Sequence, residues 1–121
     1  MSRIFLAEDD ENAREGLKAS IERSTHTLNI VATTLNEALA AIGKLAEAKI
    51  EIAILDGNLT PGVNSGDDGR KIAEEIRKLN LGIVIITWSL SEYDWGDILV
   101  PKCNIHNRSL MAKLDEISKG L

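Results

Sequence analysis

Two groups of acidic residues are the clearest candidates for a functional site in this sequence. Glu8, Asp9 and Asp10 are consecutive, and Asp56 stands between an apolar run and a glycine. Carboxylates that lie close together repel one another unless a cation separates them, and oxygen ligands suit a hard dication such as Mg²⁺. If the fold brings both groups together, the sequence predicts a magnesium site. Asp56 beside such an ion is then a candidate nucleophile that takes a phosphoryl group as an acyl phosphate.

Two further residues have side chains suited to a phosphoryl group. Thr87 carries a hydroxyl that can donate a hydrogen bond, and Lys102 carries an ammonium that can neutralise phosphoryl oxygens. Each residue also has a simpler explanation, because acidic residues often cap helices or form turns, and a lone lysine is most often solvated. The functional interpretation therefore depends on all of these side chains meeting at one edge of the fold.

Short apolar runs alternate along the chain with helical patterns. The runs are β-branched and nearly continuous, which is typical of strands buried on both faces; they cover 4–7, 28–32, 52–55, 83–86 and 98–100. Such alternation predicts an α/β fold with a parallel sheet, whose strands end at a common edge. The acidic groups, Thr87 and Lys102 all end or follow a strand, so we expect them at that edge.

Helix starts are marked by capping residues. Apolar spacing predicts a helix over 11–23, and Thr34 with Glu37 has the pattern of a capping box that opens a helix over 35–47. Residues with short polar side chains are expected to cap the two remaining helices, namely Asp67 or Asp68 and Asn107 or Ser109.

Together these segments resemble the four signatures of response-regulator receiver domains. The matching segments occur in the family's order, at 4–10, 53–59, 85–87 and Lys102. The resemblance implies one receiver domain over residues 1–121, with a flavodoxin-like, doubly wound α/β fold. Its five-stranded parallel sheet has the order 2-1-3-4-5. It also implies that Asp56 accepts a phosphoryl group from the phosphohistidine of a histidine kinase or a phosphotransfer protein, with Thr87 and Lys102 assisting.

The same resemblance implies the ligands of the metal ion. Asp9 and Asp56 would bind Mg²⁺ directly, Glu8 through water, and Asn58 through its backbone carbonyl. A receiver is a signalling domain rather than an enzyme, since its chemistry is limited to its own phosphorylation and dephosphorylation. It signals by contact with an output protein.

The sequence departs from the receiver pattern around the expected site. The segment 56–69 is several residues longer than usual, and its glycines predict that 59–67 is mobile without metal or phosphate. Pro101 precedes the lysine instead of following it. Trp88 stands beside the site where the family usually has a small residue, so it is expected to narrow access to Asp56.

The connection between the fourth and fifth strands is short. Only residues 88–101 separate Thr87 from Lys102, and the end of that stretch must supply a strand. Since a parallel crossover usually needs about a dozen residues or more, we expect a shortened fourth helix of at most one or two turns. Leu99 takes the position of the aromatic ring that the family's switch uses. Three aromatic residues of this region are expected to serve packing first, and as a cluster they are also a candidate partner or homodimer patch: Trp88, Tyr93 and Trp95.

Composition excludes several classes of protein. The chain has 14 basic and 19 acidic residues, a net charge of −5, which argues against nucleic-acid binding and against an anionic membrane surface. Cys103 is the only cysteine, so an internal disulfide is impossible and a reducing cytoplasm is the expected compartment. No apolar run is long enough to span a bilayer. His26 and His106 lack any ligand pattern and are expected at the surface.

Two other functions remain open. The first is a degenerate receiver that signals through contacts and is never phosphorylated. The altered loop and the order of Pro101 and Lys102 favour it, and the intact acidic residues oppose it. The second is a phosphatase of the haloacid-dehalogenase type, which needs an acidic residue two positions after its nucleophile. Asn58 occupies that position.

Overall fold

A computed structural model describes residues 2–59, 66–102 and 107–120. The strands are β1 (Arg3–Ala7), β2 (Thr27–Ala32), β3 (Ile52–Leu55), β4 (Val84–Ser89) and β5 (Ile98–Pro101). The helices are α1 (Glu11–Glu22), α2 (Leu35–Ala41), α3 (Asp67–Lys78) and α4 (Arg108–Gly120), and a 3₁₀ helix at Ile42–Lys44 follows α2. Within these described ranges, no helix combines the length and the apolar character needed to cross a bilayer.

The five strands form one parallel sheet in the order β2-β1-β3-β4-β5, which confirms the predicted flavodoxin-like topology. Neighbouring strands end level with one another, because Ala7 pairs with Ala32 and Leu55, and Leu55 pairs with Thr87. The residues that follow β1 and β3 therefore emerge side by side. The carboxyl edge of the sheet is the place where the sequence predicts the site.

The central strands are more completely buried than the outer strands. All residues of β3 and nearly all of β1 are buried, as their apolar runs predict. The outer strand β2 instead alternates between more and less exposed residues, and Val31 is exposed. The expectation that every strand is buried on both faces is thus wrong for the two outer strands, β2 and β5, because part of their side-chain surface meets solvent at the ends of the sheet; Leu99 of β5 is also exposed.

Helices cover both faces of the sheet and define two apolar clusters. On one face, Phe5 and Leu55 pack with residues of α2 and α3 such as Ile72. On the other face, Leu6 and Ile54 pack with residues of α1 and α4. Since side chains alternate along a strand, Glu8 and Asp56 continue the row of Leu6 and Ile54. Their carboxylates therefore extend from the α1–α4 side of the sheet.

Capping accounts for the starts of α1 and α2. Asp10 accepts a hydrogen bond from the backbone N–H of Asn12 at 3.1 Å. Thr34 caps α2 as predicted, but the Glu37 carboxylate accepts from the N–H of Thr33 at 2.7 Å rather than from Thr34. The predicted helix over 35–47 is too long, because α2 ends at Ala41 and tightens into the 3₁₀ turn.

The starts of α3 and α4 use left-handed backbone conformations. Gly66, with φ of 77°, is the N-cap of α3, so the expectation that Asp67 or Asp68 caps this helix is wrong. Both aspartates lie in the first turn, where the helix dipole favours negative charge. Asn107, with φ of 54°, accepts from the N–H of Met111 at 2.9 Å, as expected of a residue that precedes α4.

The β4–β5 connection contains no helix. Its eight residues, Leu90 to Asp97, are all described and form bends and irregular chain; we call them the strap. This confirms the predicted truncation, although the shortened helix is in fact missing, because eight residues are too few for a crossover helix. Asp97 closes the strap against β4. Its N–H donates to the Ile85 carbonyl at 2.8 Å, and its carboxylate accepts from the Ile85 N–H at 2.8 Å.

Pairing of β5 with β4 continues as far as the predicted site lysine. Pro101 pairs with Ser89, and the N–H of Lys102 donates to the Ser89 carbonyl at 3.0 Å. Leu99 pairs with Thr87. The unusual proline before the lysine is therefore accommodated as the last residue of β5, and Lys102 still emerges at the carboxyl edge.

Candidate functional site

Three carboxylates meet at the carboxyl edge, which confirms the predicted convergence. One oxygen from each of Glu8, Asp9 and Asp56 lies within 4.8 Å of the others. Backbone hydrogen bonds fix two of these residues: the N–H of Asp56 donates to the Ala7 carbonyl at 2.9 Å, and that of Glu8 donates to the Ala32 carbonyl at 3.0 Å. Glu8 and Asp56 are buried, whereas Asp9 is exposed. The site is thus a small acidic recess that opens toward solvent at Asp9.

Lys102 is the cation of this recess. Its ammonium forms an ion pair with Glu8 and lies 3.4 Å from Oδ1 of Asp56. The same ammonium lies 5.2 Å from the centre of the Trp88 ring, within the range of a cation–π contact. Trp88 is buried, so it packs beneath the lysine as part of the α1–α4 core.

Burial, and after it the neighbouring negative charge, disfavours the ionised forms of two carboxyl groups in the recess. Burial is the main cause that raises the pKa of Glu8 from 4.5 to about 8, the nearby Asp56 raises it further, and Lys102 opposes both. Desolvation, followed by repulsion from Asp56, also raises the pKa of Asp9. One ammonium therefore does not neutralise the cluster. A divalent cation would stabilise the charged forms of these groups.

Thr87 lies at the same edge with its hydroxyl unused. Its Oγ1 is buried and makes no hydrogen bond to any described residue, Asp56 included. Gly96 of the strap packs directly against it, since a Cβ on Gly96 would lie 2.1 Å from Oγ1 and 3.0 Å from the Thr87 nitrogen. Leu99 is its strand partner and is 38% exposed.

The side chain of Asn58 holds the backbone around the site. Its Nδ2 donates to the Tyr93 hydroxyl at 3.0 Å, and its Oδ1 accepts from the N–H of Gly66 at 2.8 Å. Both ends of the side-chain amide are therefore used. Only the backbone carbonyl remains for the ligand role that the receiver resemblance implies.

Tyr93 and Trp95 pack on glycines, which confirms the packing role predicted first for them, and both rings remain partly exposed. The Tyr93 ring packs on Gly57 and Gly66, and the Trp95 ring packs on Gly69; a Cβ at these glycines would lie 2.4 to 2.5 Å from ring atoms. The two rings also stack on each other, with centroids 6.3 Å apart. Because glycines leave room for these rings, the aromatic residues pack inward. The sequence did not identify the glycines that receive the rings, of which Gly57 and Gly66 precede α3 and Gly69 lies within it.

His26 is buried, so its expected surface position is wrong. Its Nδ1 accepts from the N–H of Ser2 at 3.3 Å, and its Nε2 donates to Asp115 at 2.8 Å. The histidine thus joins the start of the chain to α4, away from the acidic recess. The predictions for His106 and for mobility across most of the loop 59–67 lie outside the described residues.

Comparisons with known proteins identify the fold. No family model and no curated protein match the chain. The receiver domain of the response regulator NarL from Mycobacterium tuberculosis matches with a TM-score of 0.74 at 20% identity, over 99% of this chain and 98% of that one. A CheY-like receiver domain from Methanospirillum hungatei matches with a TM-score of 0.74 at 22% identity, over 96% and 92%. The Mn²⁺-bound response regulator Rcp1 matches with a TM-score of 0.69 at 21% identity, over 96% and 92%. The chain therefore has the fold of response-regulator receiver domains.

Proposed function

We propose that this chain is a receiver that accepts a phosphoryl group on Asp56 with the help of Mg²⁺. The observation that carries the proposal is the meeting of three carboxylates within 4.8 Å at the sheet edge, with Lys102 3.4 Å from Asp56. The partner that supplies the phosphoryl group would be a histidine kinase or a phosphotransfer protein. Such a partner agrees with the cytoplasmic location expected from the sequence, and the output would be contact with another protein.

The residues present fit a magnesium ion. Carboxylate oxygens are the ligands that Mg²⁺ prefers, and the raised pKa values of Glu8 and Asp9 indicate charge that a dication would stabilise. We assign Asp9 and Asp56 as direct ligands, Glu8 as a ligand through water, and the backbone carbonyl of Asn58 as a further ligand. When bound, the ion would supply positive charge to the phosphoryl oxygens and to the carboxylates.

The protein groups then have separate roles in the transfer. A carboxylate oxygen of Asp56 forms a bond to phosphorus while the N–P bond of the donor phosphohistidine breaks, and the electron pair of that bond stays on the histidine nitrogen. Lys102, which already faces both buried carboxylates, would move its ammonium onto a phosphoryl oxygen. Thr87 would donate its unused hydroxyl to another phosphoryl oxygen.

Phosphorylation by a small donor tests this proposal directly. Incubation with acetyl phosphate and Mg²⁺, followed by intact mass measurement, should give a gain of one phosphoryl group. Asp56→Asn should show no gain, and neither should the unmodified chain in excess EDTA. Glu74→Gln, which changes an exposed carboxylate of α3, is the matched control and should be phosphorylated normally. A gain that persists in Asp56→Asn would exclude Asp56 as the acceptor.

A degenerate receiver is the second candidate. The close packing of Gly96 against Thr87 favours it, because the hydroxyl is covered by the strap on one side. In that case the chain would bind its partner equally well before and after treatment with acetyl phosphate. Trp88 is buried, but Tyr93 and Trp95 keep partial exposure beside their contacts with glycines, so a homodimer contact through these two rings stays a prediction.

A further inference from the structure

We infer that Tyr93 is a positioning residue that couples metal binding at the acidic recess to the docking of the strap, acting through the side chain of Asn58. This inference rests on the proposed function, since it uses the Asn58 carbonyl as a metal ligand. It adds a residue and a route of coupling that the four receiver signatures do not contain.

The Tyr93 ring contacts the backbone beside Asp56. Gly57 follows the proposed phosphorylation site, and Gly66 is the N-cap of α3. A Cβ on either glycine would lie within 2.4 or 2.5 Å of a ring carbon, so the ring fills the space above both. A shift of the backbone at either glycine must therefore move the ring, or the ring must leave.

Hydrogen bonds extend this contact into a continuous chain. The Tyr93 hydroxyl accepts from Asn58, and Asn58 accepts from Gly66, so strap, loop and helix start are joined by one side-chain amide. The N–H of Gly69 also donates to the Gly57 carbonyl at 3.0 Å, which ties α3 to the same backbone. Trp95 packs on Gly69 and stacks on Tyr93.

The far end of the strap contacts the other side of the proposed phosphoryl site. Gly96 packs against Thr87, and Asp97 is held by two hydrogen bonds to Ile85. The strap thus has one fixed end at β4 and one face on Asn58. We therefore expect metal binding at the recess to alter the contact between the strap and Asn58.

Thermodynamic linkage gives the sign of the coupling. An ion bound to the Asn58 carbonyl would fix the backbone of residues 56–58 and so present the side-chain amide to Tyr93 in one orientation. By reciprocity, docking of Tyr93 must raise the affinity for Mg²⁺ by the same factor. Since the coupling passes through one hydrogen bond, we expect a factor of about two to ten.

Hydrogen exchange with and without Mg²⁺ separates the coupling from the metal site itself. In the wild-type chain, Mg²⁺ should slow exchange both in residues 54–58 and in the strap. Tyr93→Phe keeps the ring but removes the hydroxyl, so Mg²⁺ should still protect 54–58 but should protect the strap less than in the wild type, because only the ring contacts with Gly57 and Gly66 remain. Leu90→Ala, at a strap residue that is 84% exposed, is the matched control and should behave as wild type.

Calorimetric titration with Mg²⁺ completes the test. Tyr93→Phe should weaken binding by about two- to tenfold. Adding the same change to Asn58→Ala should weaken binding less than it does in the wild-type chain, because the hydrogen bond from Asn58 is already gone. Two results would overturn the coupling and leave the proposed function intact. The first is that Mg²⁺ slows exchange at 54–58 of the wild-type chain but leaves exchange in the strap unchanged. The second is that wild type and Tyr93→Phe bind Mg²⁺ with equal affinity. Absence of any protection at 54–58 in the wild type would overturn both.

Discussion

The buried carboxyl group of Glu8 makes the stability of the protein depend on pH. Burial and the neighbouring Asp56 raise the pKa of Glu8 from 4.5 to about 8. The folded state therefore binds a proton more tightly than the unfolded state, and stability falls as pH rises. Without divalent cations, this contribution is fully present below about pH 4.5 and is lost as pH rises through about 8. At about 1.4 kcal/mol for each unit of pKa, the full change is at most about 5 kcal/mol.

Glu8→Gln removes the titrating group and keeps its size and an oxygen that can accept from Lys102. We expect the variant to gain free energy of unfolding relative to wild type as pH rises, by up to about 5 kcal/mol near pH 9. Urea denaturation in EDTA, repeated at intervals from about pH 5 to about pH 9, measures this difference. Glu74→Gln, at an exposed position, controls for the loss of one negative charge.

Parallel stability curves for wild type and Glu8→Gln over this range would refute the reasoning, because they would mean that Glu8 titrates alike in the folded and unfolded states. Excess Mg²⁺ provides a second check. The ion favours the charged carboxylates, so it should stabilise wild type more than Glu8→Gln and reduce the advantage of the variant at high pH.

Three further changes test the site and its supports. Asp9→Ala should abolish Mg²⁺ binding measured by calorimetry, and unchanged binding would mean that the assigned ligands are wrong. Gly96→Ala should lower the free energy of unfolding by about 1 to 3 kcal/mol, because its Cβ would collide with Thr87, whereas Gly43→Ala, which has open space, should change it by less than about 1 kcal/mol. Thr34→Ala should cost about 1 kcal/mol in urea denaturation, since it removes the side-chain oxygen that caps α2; no loss would show that this cap is dispensable.

The sheet and the position of the recess were predictable because they depend on burial and topology. The bounds of β3 match the predicted run 52–55, since a strand covered on both faces and both edges must be apolar throughout. Helix α2 was predicted too long for a related reason. Leu45 continues the apolar spacing of α2 and is buried, yet it lies beyond the 3₁₀ turn. Apolar periodicity indicates which residues are buried, and it does not show where the helical hydrogen bonds end.

The contacts that the sequence did not reveal join residues that are distant along the chain. His26 and Asp115 are separated by 89 positions, and Asn58 and Tyr93 by 35. No local spacing marks such pairs, since each depends on where the helices and the strap pack. The aromatic residues were predicted to pack, but what they pack on was not predictable for the same reason: the glycines that receive them are brought close only by the fold.

The two outer edges of the sheet differ in their capacity to accept an added strand. Backbone N–H groups along a parallel strand point alternately to one neighbour and to the other. The N–H of Lys102 points inward to Ser89 of β4. The backbone nitrogen of the preceding residue, Pro101, therefore points outward from the sheet. Proline has no N–H, which leaves Leu99 as the outward donor within the four residues of β5. The β2 edge has six residues and no proline. Intermolecular strand addition, whether by a peptide ligand or in aggregation, would therefore begin at β2 and be resisted at β5.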